Sequence, residues 1–194
     1  GVERLMLKNS FIYPIDLIKK FLNEFDIVVG NLEGPINEEP GDFSDDSLKF
    51  SFDKRILESL TAGNFSVLSL ANNHTLNMGE EGLAETRSIL TEAGINFPGD
   101  PIICDIADTY QKDGIAYFGI NKTFSFNCSD KKVVSSIEEY KFYNPESFLI
   151  VLIHWGNEYQ ETNSSQQQKL AHAMIDAGAD LIIGHHPHVV QNIE

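Results

Sequence analysis

The pattern of apolar and polar positions predicts a repeated alternation of strands and helices. Continuous apolar runs indicate buried strands, and apolar positions three and four residues apart indicate helices. Strands are predicted at 26–32, 48–52, 65–71, 102–106, 115–120, 148–155 and 181–184, and helices at 14–25, 53–60, 79–93 and 166–177. Strands that are separated by helices are typical of βαβ units with a largely parallel sheet. The pattern therefore predicts the α/β class.

Residues with special backbone roles agree with these boundaries. Asp53 can cap the helix that runs to Leu60, and Gly94 and Gly178 follow the last apolar positions of two later helices. Aspartate is a preferred N-cap residue, and glycine commonly ends a helix because it adopts the left-handed conformation at little cost.

Composition narrows the class of protein. The 194 residues can bury the core of one domain, and a formal net charge of −15 argues against a nucleic-acid partner. Much of the acid is predicted to lie in an exposed loop at 38–46. The chain has no signal-peptide pattern and no apolar stretch of about 20 residues. We therefore expect a soluble chain.

The two cysteines, Cys104 and Cys128, are too few for a disulfide framework. They can pair only if their strands lie side by side, which the sequence leaves open.

Polar residues follow four of the predicted strands, where open α/β sheets place their functional sites. Asn31 and Glu33 end the first of these strands and are two residues apart. In extended backbone such residues face the same side, and their oxygens suit a divalent cation. The alternative is a polar turn between Gly30 and Gly34.

The next two strand ends each carry a histidine. Asn73 supplies an amide oxygen, and His74 an imidazole that can act as an acid or bind phosphate. The alternative is a turn rich in asparagine. His154 ends the most apolar strand, with Glu158 four residues on as an accessory acid or supporting partner. A hydrogen-bonded core histidine is the alternative there.

The last strand runs into Gly184–His188, which contains three histidines. His186 and His188 are spaced so that one extended segment presents two imidazoles to a metal pair, with Pro187 fixing the backbone between them. Several adjacent imidazoles are best accommodated when they are neutral and bound to metal. His172 lies on the polar side of a predicted helix and is expected to be solvated.

Taken together, these motifs resemble those of bacterial capsule-synthesis proteins of the CapA type, which are associated with poly-γ-glutamate. The shared segments are 30–33, 69–74, 94–99, 153–159 and 178–188, in the family's order. The similarity runs from about Phe21 to the C-terminus. That family in turn resembles the calcineurin-like metallophosphoesterases.

The resemblance implies an α/β sandwich of two sheets flanked by helices, with a site for two divalent ions, Mn, Fe or Zn. His74 would lie near the leaving group, and Glu158 is a further candidate for catalysis. The implied metal ligands are Glu33 or Asn31, Asn73, His154 and a closing pair, either His186 with His188 or His185 with His188. Glu33 is preferred over Asn31 because Asn31 is neutral.

The chain departs from the family pattern in three places. The family opens with a strand that ends in Gly-Asp, whereas this chain has no aspartate before Asp16. Asn77 stands where an aspartate is common, and the family continues beyond the position of Glu194. We expect one domain over 1–194 that lacks the first metal-binding strand and the final strands, either as part of a longer domain or as a variant with an incomplete site.

Three functions remain open. The first is a metal-dependent, phosphoesterase-like hydrolase in capsule or poly-γ-glutamate biosynthesis, acting on an anionic surface polymer or a phosphoester. The second is a binding or assembly factor with a degenerate metal site, and the third is an α/β domain without a ligand. For the first two we expect a location outside the cytoplasm, at the cell surface or beside membrane-associated capsule machinery.

Overall fold

The computed structural model describes residues 2–41, 48–123 and 128–194. Its α-helices are α1 (Val2–Lys8), α2 (Lys19–Leu22), α3 (Leu57–Ala62), α4 (Gly79–Glu92), α5 (Asp130–Tyr143) and α6 (Ser165–Asp176). Its strands are β1 (Val28–Asn31), β2 (Ile36–Asn37), β3 (Phe52–Asp53), β4 (Phe65–Ser69), β5 (Tyr110–Lys112), β6 (Ile115–Asn121), β7 (Phe148–His154) and β8 (Leu181–His185). The predicted α/β class is confirmed.

The chain forms two compact units, which are described separately. The first unit consists of Gly1–Leu68 and His74–Phe97, and the second of Ser69–Asn73 and Pro98–Glu194. The expectation of one domain stays a prediction, because two compact units can also fold as one domain.

The first unit contains two small sheets. One pairs β1 with β4, and the other pairs β2 with β3 in parallel. Helix α4 is tied to β2 by buried polar contacts: the Thr86 hydroxyl accepts from the Ile36 amide at 2.9 Å, and Asn37 donates to Glu85 at 2.6 Å. The helix ends before Gly94, whose φ of 71° is the left-handed conformation expected of a stop residue. Asp53 caps a 3₁₀ helix, Lys54–Ile56, that leads directly into α3, because its carboxylate accepts from the Arg55 amide.

The second unit is built on one four-stranded sheet in the order β5-β6-β7-β8. β5 and β6 form an antiparallel hairpin, whereas β6, β7 and β8 are parallel. Helices α5 and α6 connect the parallel strands and contribute to an apolar core that includes Phe118, Ile137, Val151 and Met174, each 0% exposed. Helix α6 begins with a capping box formed by Ser164 and Gln167.

The structure settles the pairing of the two cysteines. Cys104 and Cys128 form a disulfide, with their Cα atoms 5.4 Å apart and both residues 1% exposed. Cys104 lies in an irregular segment before β5, and Cys128 lies just before α5. The bond therefore joins two segments of the second unit.

Two predicted elements are wrong. The helix expected at 14–25 is reduced to α2, because the preceding segment forms successive turns, such as the bond from the Ile18 amide to the Ile15 carbonyl. Its apolar positions share no buried face, since Leu17 is 97% exposed. The strand expected at 102–106 does not form, because the Asp100 carboxylate accepts from the amides of the next residues, Ile102 and Ile103, as in a turn.

Sequence reasoning also missed four elements, α1, β2, β5 and α5, and predicted one strand too long. Helix α5 was not predicted, although its buried residues Val133, Ile137 and Tyr140 have helical spacing. The short edge strand β5 was missed as well. The strand predicted at 48–52 is present only as β3, which begins at Phe52. The remaining strands and helices occur with small shifts at their ends.

Two further findings concern the surface. Within the predicted acidic loop, positions 42–47 lie outside the described residues, whereas Glu38 is exposed and forms an ion pair with Lys54 at 2.6 Å. A search of the described ranges finds no helix with the length and apolar character that a membrane span requires.

Candidate metal centre

The site of the second unit is centred on His154, the last residue of β7. This strand lies between β6 and β8, and His154 is paired with Asn121 on one side and His185 on the other. Its side chain is only 1% exposed. Its carbonyl accepts from the Lys122 amide at 2.8 Å, which continues the pairing beyond the strand. The imidazole is therefore fixed at the carboxyl end of the sheet, as the sequence predicts.

Asn73 contacts this histidine directly. The residue belongs to Ser69–Asn73, the short segment after β4 that packs with the second unit. Its Oδ1 atom lies 2.8 Å from His154 Nε2. The segment is held in place by the Leu70 amide, which donates to the Pro98 carbonyl at 3.3 Å. Two candidate ligands that are 81 residues apart in sequence thus converge.

The histidine turn after β8 completes the cluster. The His186 ring lies 4.8 Å from the His154 ring, and the His188 ring lies 6.1 Å from that of His186, both measured between centroids. His186 and His188 both have positive φ, at 95° and 55°. The turn is therefore not the extended segment that the spacing predicts, yet it brings both rings to one side of the cluster.

His185 occupies a different place. It is the last residue of β8, is paired with His154, and its carbonyl accepts from the Trp155 amide at 3.2 Å. Burial lowers the pKa of the His185 imidazole below its ordinary value. Within the described ranges, the His186 ring contacts both the His154 ring and the His188 ring. They favour His186 over His185 as the companion of His188, although the ligand roles themselves stay predictions.

In the first unit, His74 is held by Asn77. Asn77 Oδ1 accepts from the Phe50 amide at 2.6 Å and lies 3.0 Å from His74 Nδ1. Because this oxygen is an acceptor, His74 places a proton on Nδ1. The Phe50 ring packs 4.3 Å from the imidazole. Sequence reasoning noted Asn77 only as a departure from the family, and Phe50 carried no recognisable pattern.

The other predicted site residues are Asn31, Glu33 and Glu158. In the first unit, Asn31 donates from Nδ2 to Glu33 Oε2 at 3.0 Å. Both residues are partly buried, so their adjacency on one strand end agrees with the sequence. Glu158 is exposed in the loop between β7 and α6. The catalytic or ligand roles of these residues stay predictions. His172 is exposed, as expected, and pairs with Glu194.

The donor set of the second unit fits a transition-metal ion. It contains an amide oxygen from Asn73 and imidazole nitrogens from His154, His186 and His188, which are ordinary ligands of Mn, Fe and Zn. Neighbouring ligands of an octahedral ion with bonds of about 2.1 Å lie about 3 Å apart. The 2.8 Å between Asn73 Oδ1 and His154 Nε2 is close to that spacing.

The architecture and the histidine cluster together indicate a class of protein. They describe an α/β domain that resembles the metallophosphoesterases, with candidate ligands at the carboxyl end of a parallel sheet. Residues 1–101 and 105–194 match the family described as bacterial capsule synthesis protein PGA_cap, so the chain belongs to this family.

Individual relatives agree with this assignment. The capsule biosynthesis protein CapA of Bacillus anthracis is 29% identical over 222 residues, which covers 100% of this chain and 52% of the relative. The PGA biosynthesis protein CapA of Bacillus subtilis is 31% identical, covering 87% of this chain and 49% of the relative. A probable polyglutamine synthesis accessory protein of Mycobacterium tuberculosis is 25% identical over 199 residues, covering 87% of this chain and 51% of the relative. The chain thus spans about half the length of these curated relatives.

Proposed function

We propose that this chain carries a metal-dependent hydrolase site that acts on an anionic polymer or phosphoester in capsule biosynthesis. The observation that carries the proposal is the contact chain from Asn73 through His154 to His186 and His188 within one compact unit. Membership of the capsule synthesis family supports a capsular polymer, and relatives named for PGA biosynthesis and for polyglutamine synthesis support a polymer of the glutamate type. An association with membrane-bound capsule machinery belongs to the same proposal.

The protein's contribution is to hold neutral donors in place. His154 and Asn73 are fixed by the sheet and by their mutual contact, so a cation would meet an ordered pair of ligands. A bound metal pair would supply an activated water and would polarise the scissile group. His74 is proposed as the acid for the leaving group: Asn77 holds its Nδ1 proton, so the proton delivered would come from Nε2 of the imidazolium form. Glu33 and Asn31 are proposed to provide the remaining oxygen ligands.

The first experiment measures metal binding and hydrolysis together. We expect the purified chain to bind Mn²⁺, Zn²⁺ or Fe²⁺ in stoichiometric amount and, when loaded, to hydrolyse an aryl phosphate or a γ-glutamyl polymer. His186→Ala and His188→Ala should weaken metal binding by more than about 100-fold, beyond the effect of losing a supporting partner. His172→Ala is the matched control, because His172 is an exposed histidine of the same unit. A chain without stoichiometric metal would refute the proposal.

A second function is favoured by one feature of the first unit. The neutral Asn31 stands beside Glu33 and donates to its carboxylate, so this strand end offers one carboxylate rather than two. A site short of carboxylates would bind metal and polymer without turnover. This function predicts that poly-γ-glutamate is retained on a column of the immobilised chain and is recovered at its original length.

We also propose that the domain matures outside the cytoplasm. The support is the buried disulfide between Cys104 and Cys128, because such bonds persist in oxidising compartments and are rare in the cytosol. In producing cells, alkylation of denatured protein with a thiol reagent should leave both cysteines unmodified until a reductant is added. Modification without reductant would contradict this location.

A further inference from the structure

Three unusual backbone conformations meet at the candidate metal centre. The structure describes five non-glycine residues with positive φ: Asn64, Asp113, Tyr159, His186 and His188. Asparagine, aspartate and histidine are enriched in this conformation, whereas it is uncommon for a bulky side chain such as tyrosine. Tyr159, at φ 59°, thus shares with the two histidines a conformation that nothing in its residue type favours. Such conformations persist only where the surrounding structure imposes them.

Hydrogen bonds tie the loop that contains Tyr159 to the histidine turn. The Tyr159 amide donates to the Pro187 carbonyl at 2.7 Å, and Trp155 at the start of the loop donates to the His185 carbonyl at 3.2 Å. Beyond Tyr159, the Gln160 carbonyl accepts from the Gln191 side chain at 2.8 Å. The backbone position of Tyr159 is therefore set by the residues that carry the candidate ligands.

The side chain of Tyr159 is exposed despite this fixed backbone. The residue is 70% exposed, and its ring lies 6.1 Å from the His188 ring at an interplanar angle of 32°. An exposed aromatic gains little from burial, and a left-handed tyrosine costs conformational energy. Core packing thus does not account for a tyrosine here, whereas contact with a ligand beside His188 does.

We propose that Tyr159 is a substrate-contacting residue of the histidine site and donates its phenol hydrogen to an anionic oxygen of the bound group. A phenol is a neutral donor, so it serves a phosphate and a carboxylate equally. The proposal rests on the proposed function, because it needs a cation at His154, His186 and His188. It adds a group that recognises the ligand without binding the metal.

The test uses Tyr159→Phe and Tyr159→Gly with Mn²⁺, inorganic phosphate and γ-glutamyl-glutamate as probes. Calorimetry should give the same Mn²⁺ affinity as the unmodified chain, within about 2-fold. Affinity of the Mn²⁺-loaded chain for the preferred anion should fall about 5-fold in Tyr159→Phe, which loses one hydrogen bond. The probe that shows the drop distinguishes a phosphate substrate from a γ-linked polymer.

The thermal midpoint of Tyr159→Gly distinguishes a ligand-contacting role of the ring from a structural role, because the two roles change it in opposite directions. Glycine adopts positive φ without strain. The thermal midpoint of the Tyr159→Gly variant should therefore rise by about 2 °C, while its anion affinity falls by about 10-fold. A structural role for the ring would lower the midpoint instead. Asp113→Gly is the matched control for strain, because Asp113 has φ 52° in the β5-β6 turn. Tyr143→Phe is the control for an exposed tyrosine, at 73% exposure.

The outcomes separate this inference from the proposed function. Unchanged anion affinity in both Tyr159 variants overturns the inference, as does a Mn²⁺-loaded chain that binds neither anion. A lower midpoint together with weaker Mn²⁺ binding in Tyr159→Gly also overturns it, because the ring would then support the fold. Failure of the unmodified chain to bind Mn²⁺ refutes the metal site itself, whatever the Tyr159 variants do.

Discussion

The central strands of the second unit and the segment at 14–25 of the first unit differ in how they bury large apolar side chains. In the second unit the central strands β6 and β7 are almost fully buried, and Phe118 is 0% exposed. In the first unit, Leu17, Phe21 and Phe25 are 97%, 58% and 48% exposed. Both stretches contain apolar residues at regular spacing, yet β6 and β7 place them in a core and the segment at 14–25 does not. Regular spacing therefore predicts structure well only where neighbouring elements supply a surface to pack against.

The largest predicted effect compares two phenylalanines. Phe118→Ala should lower the free energy of unfolding by about 3–5 kcal/mol, because it removes a fully buried ring and leaves a cavity. Phe21→Ala should change it by about 0.5 kcal/mol or less, because the ring is mostly exposed. Urea titration followed by circular dichroism measures both values, and fluorescence of Trp155, the single tryptophan, follows the second unit.

Similar losses of unfolding free energy in Phe118→Ala and Phe21→Ala would contradict this difference in burial. A loss above about 2 kcal/mol for Phe21→Ala would mean that this ring is covered in solution. Phe25→Ala tests the same point independently, since the two rings contact each other with centroids 5.0 Å apart.

The next largest predicted effect comes from the disulfide of the second unit. Replacing both cysteines, Cys104→Ser with Cys128→Ser, opens a link across a sequence separation of 24 residues. The loss of this constraint on the unfolded chain should cost about 3 kcal/mol, monitored by Trp155 fluorescence in urea. Treatment of the unmodified protein with a reductant should produce the same shift. Equal stability of the oxidised, reduced and serine forms would show that the bond does not stabilise this unit.

The same contrast explains how much of the fold the sequence predicts. β7 was predicted to within one residue because a continuous apolar run can only be buried. The segment at 14–25 was predicted wrongly because helical spacing alone does not ensure a buried face. The strand predicted at 102–106 was wrong because its bend depends on the Asp100 side chain. Turn chemistry of this kind competes with strand propensity and leaves a weaker pattern.

The candidate site divides in a similar way. The sequence identified His154, His186 and His188, since histidines at the ends of apolar runs are recognisable without coordinates. It did not identify Tyr159 as a neighbour of His188, because that contact depends on left-handed backbone and on a bond to Pro187. It also could not place the proton on Nδ1 of His74. That assignment depends on Asn77 Oδ1, which the Phe50 amide identifies as an acceptor.

The smallest predicted effect belongs to the first unit and depends on pH. Hydrogen bonds from Arg55 to the carboxylate hold the pKa of Asp53 below its ordinary value of 3.8. A carboxyl with a lowered folded-state pKa contributes stability that is complete above the unfolded pKa and is lost as the pH falls through the folded value. Asp53→Asn keeps the cap but removes the charge. It should cost about 0.5 kcal/mol at pH 7 and nothing near pH 2.

Urea titrations of the unmodified protein and the Asp53→Asn variant at several pH values measure this difference. Asp105→Asn is the matched control, because Asp105 caps the 3₁₀ helix Ile106–Asp108 by accepting from the Ala107 amide. If the cap alone accounted for the effect of Asp53, both substitutions would change stability equally at every pH. A cost of Asp53→Asn that persists unchanged to pH 2 would rule out the ion pair. A cost that disappears in acid would show that the charge of Asp53, beside Arg55, stabilises this turn of the first unit.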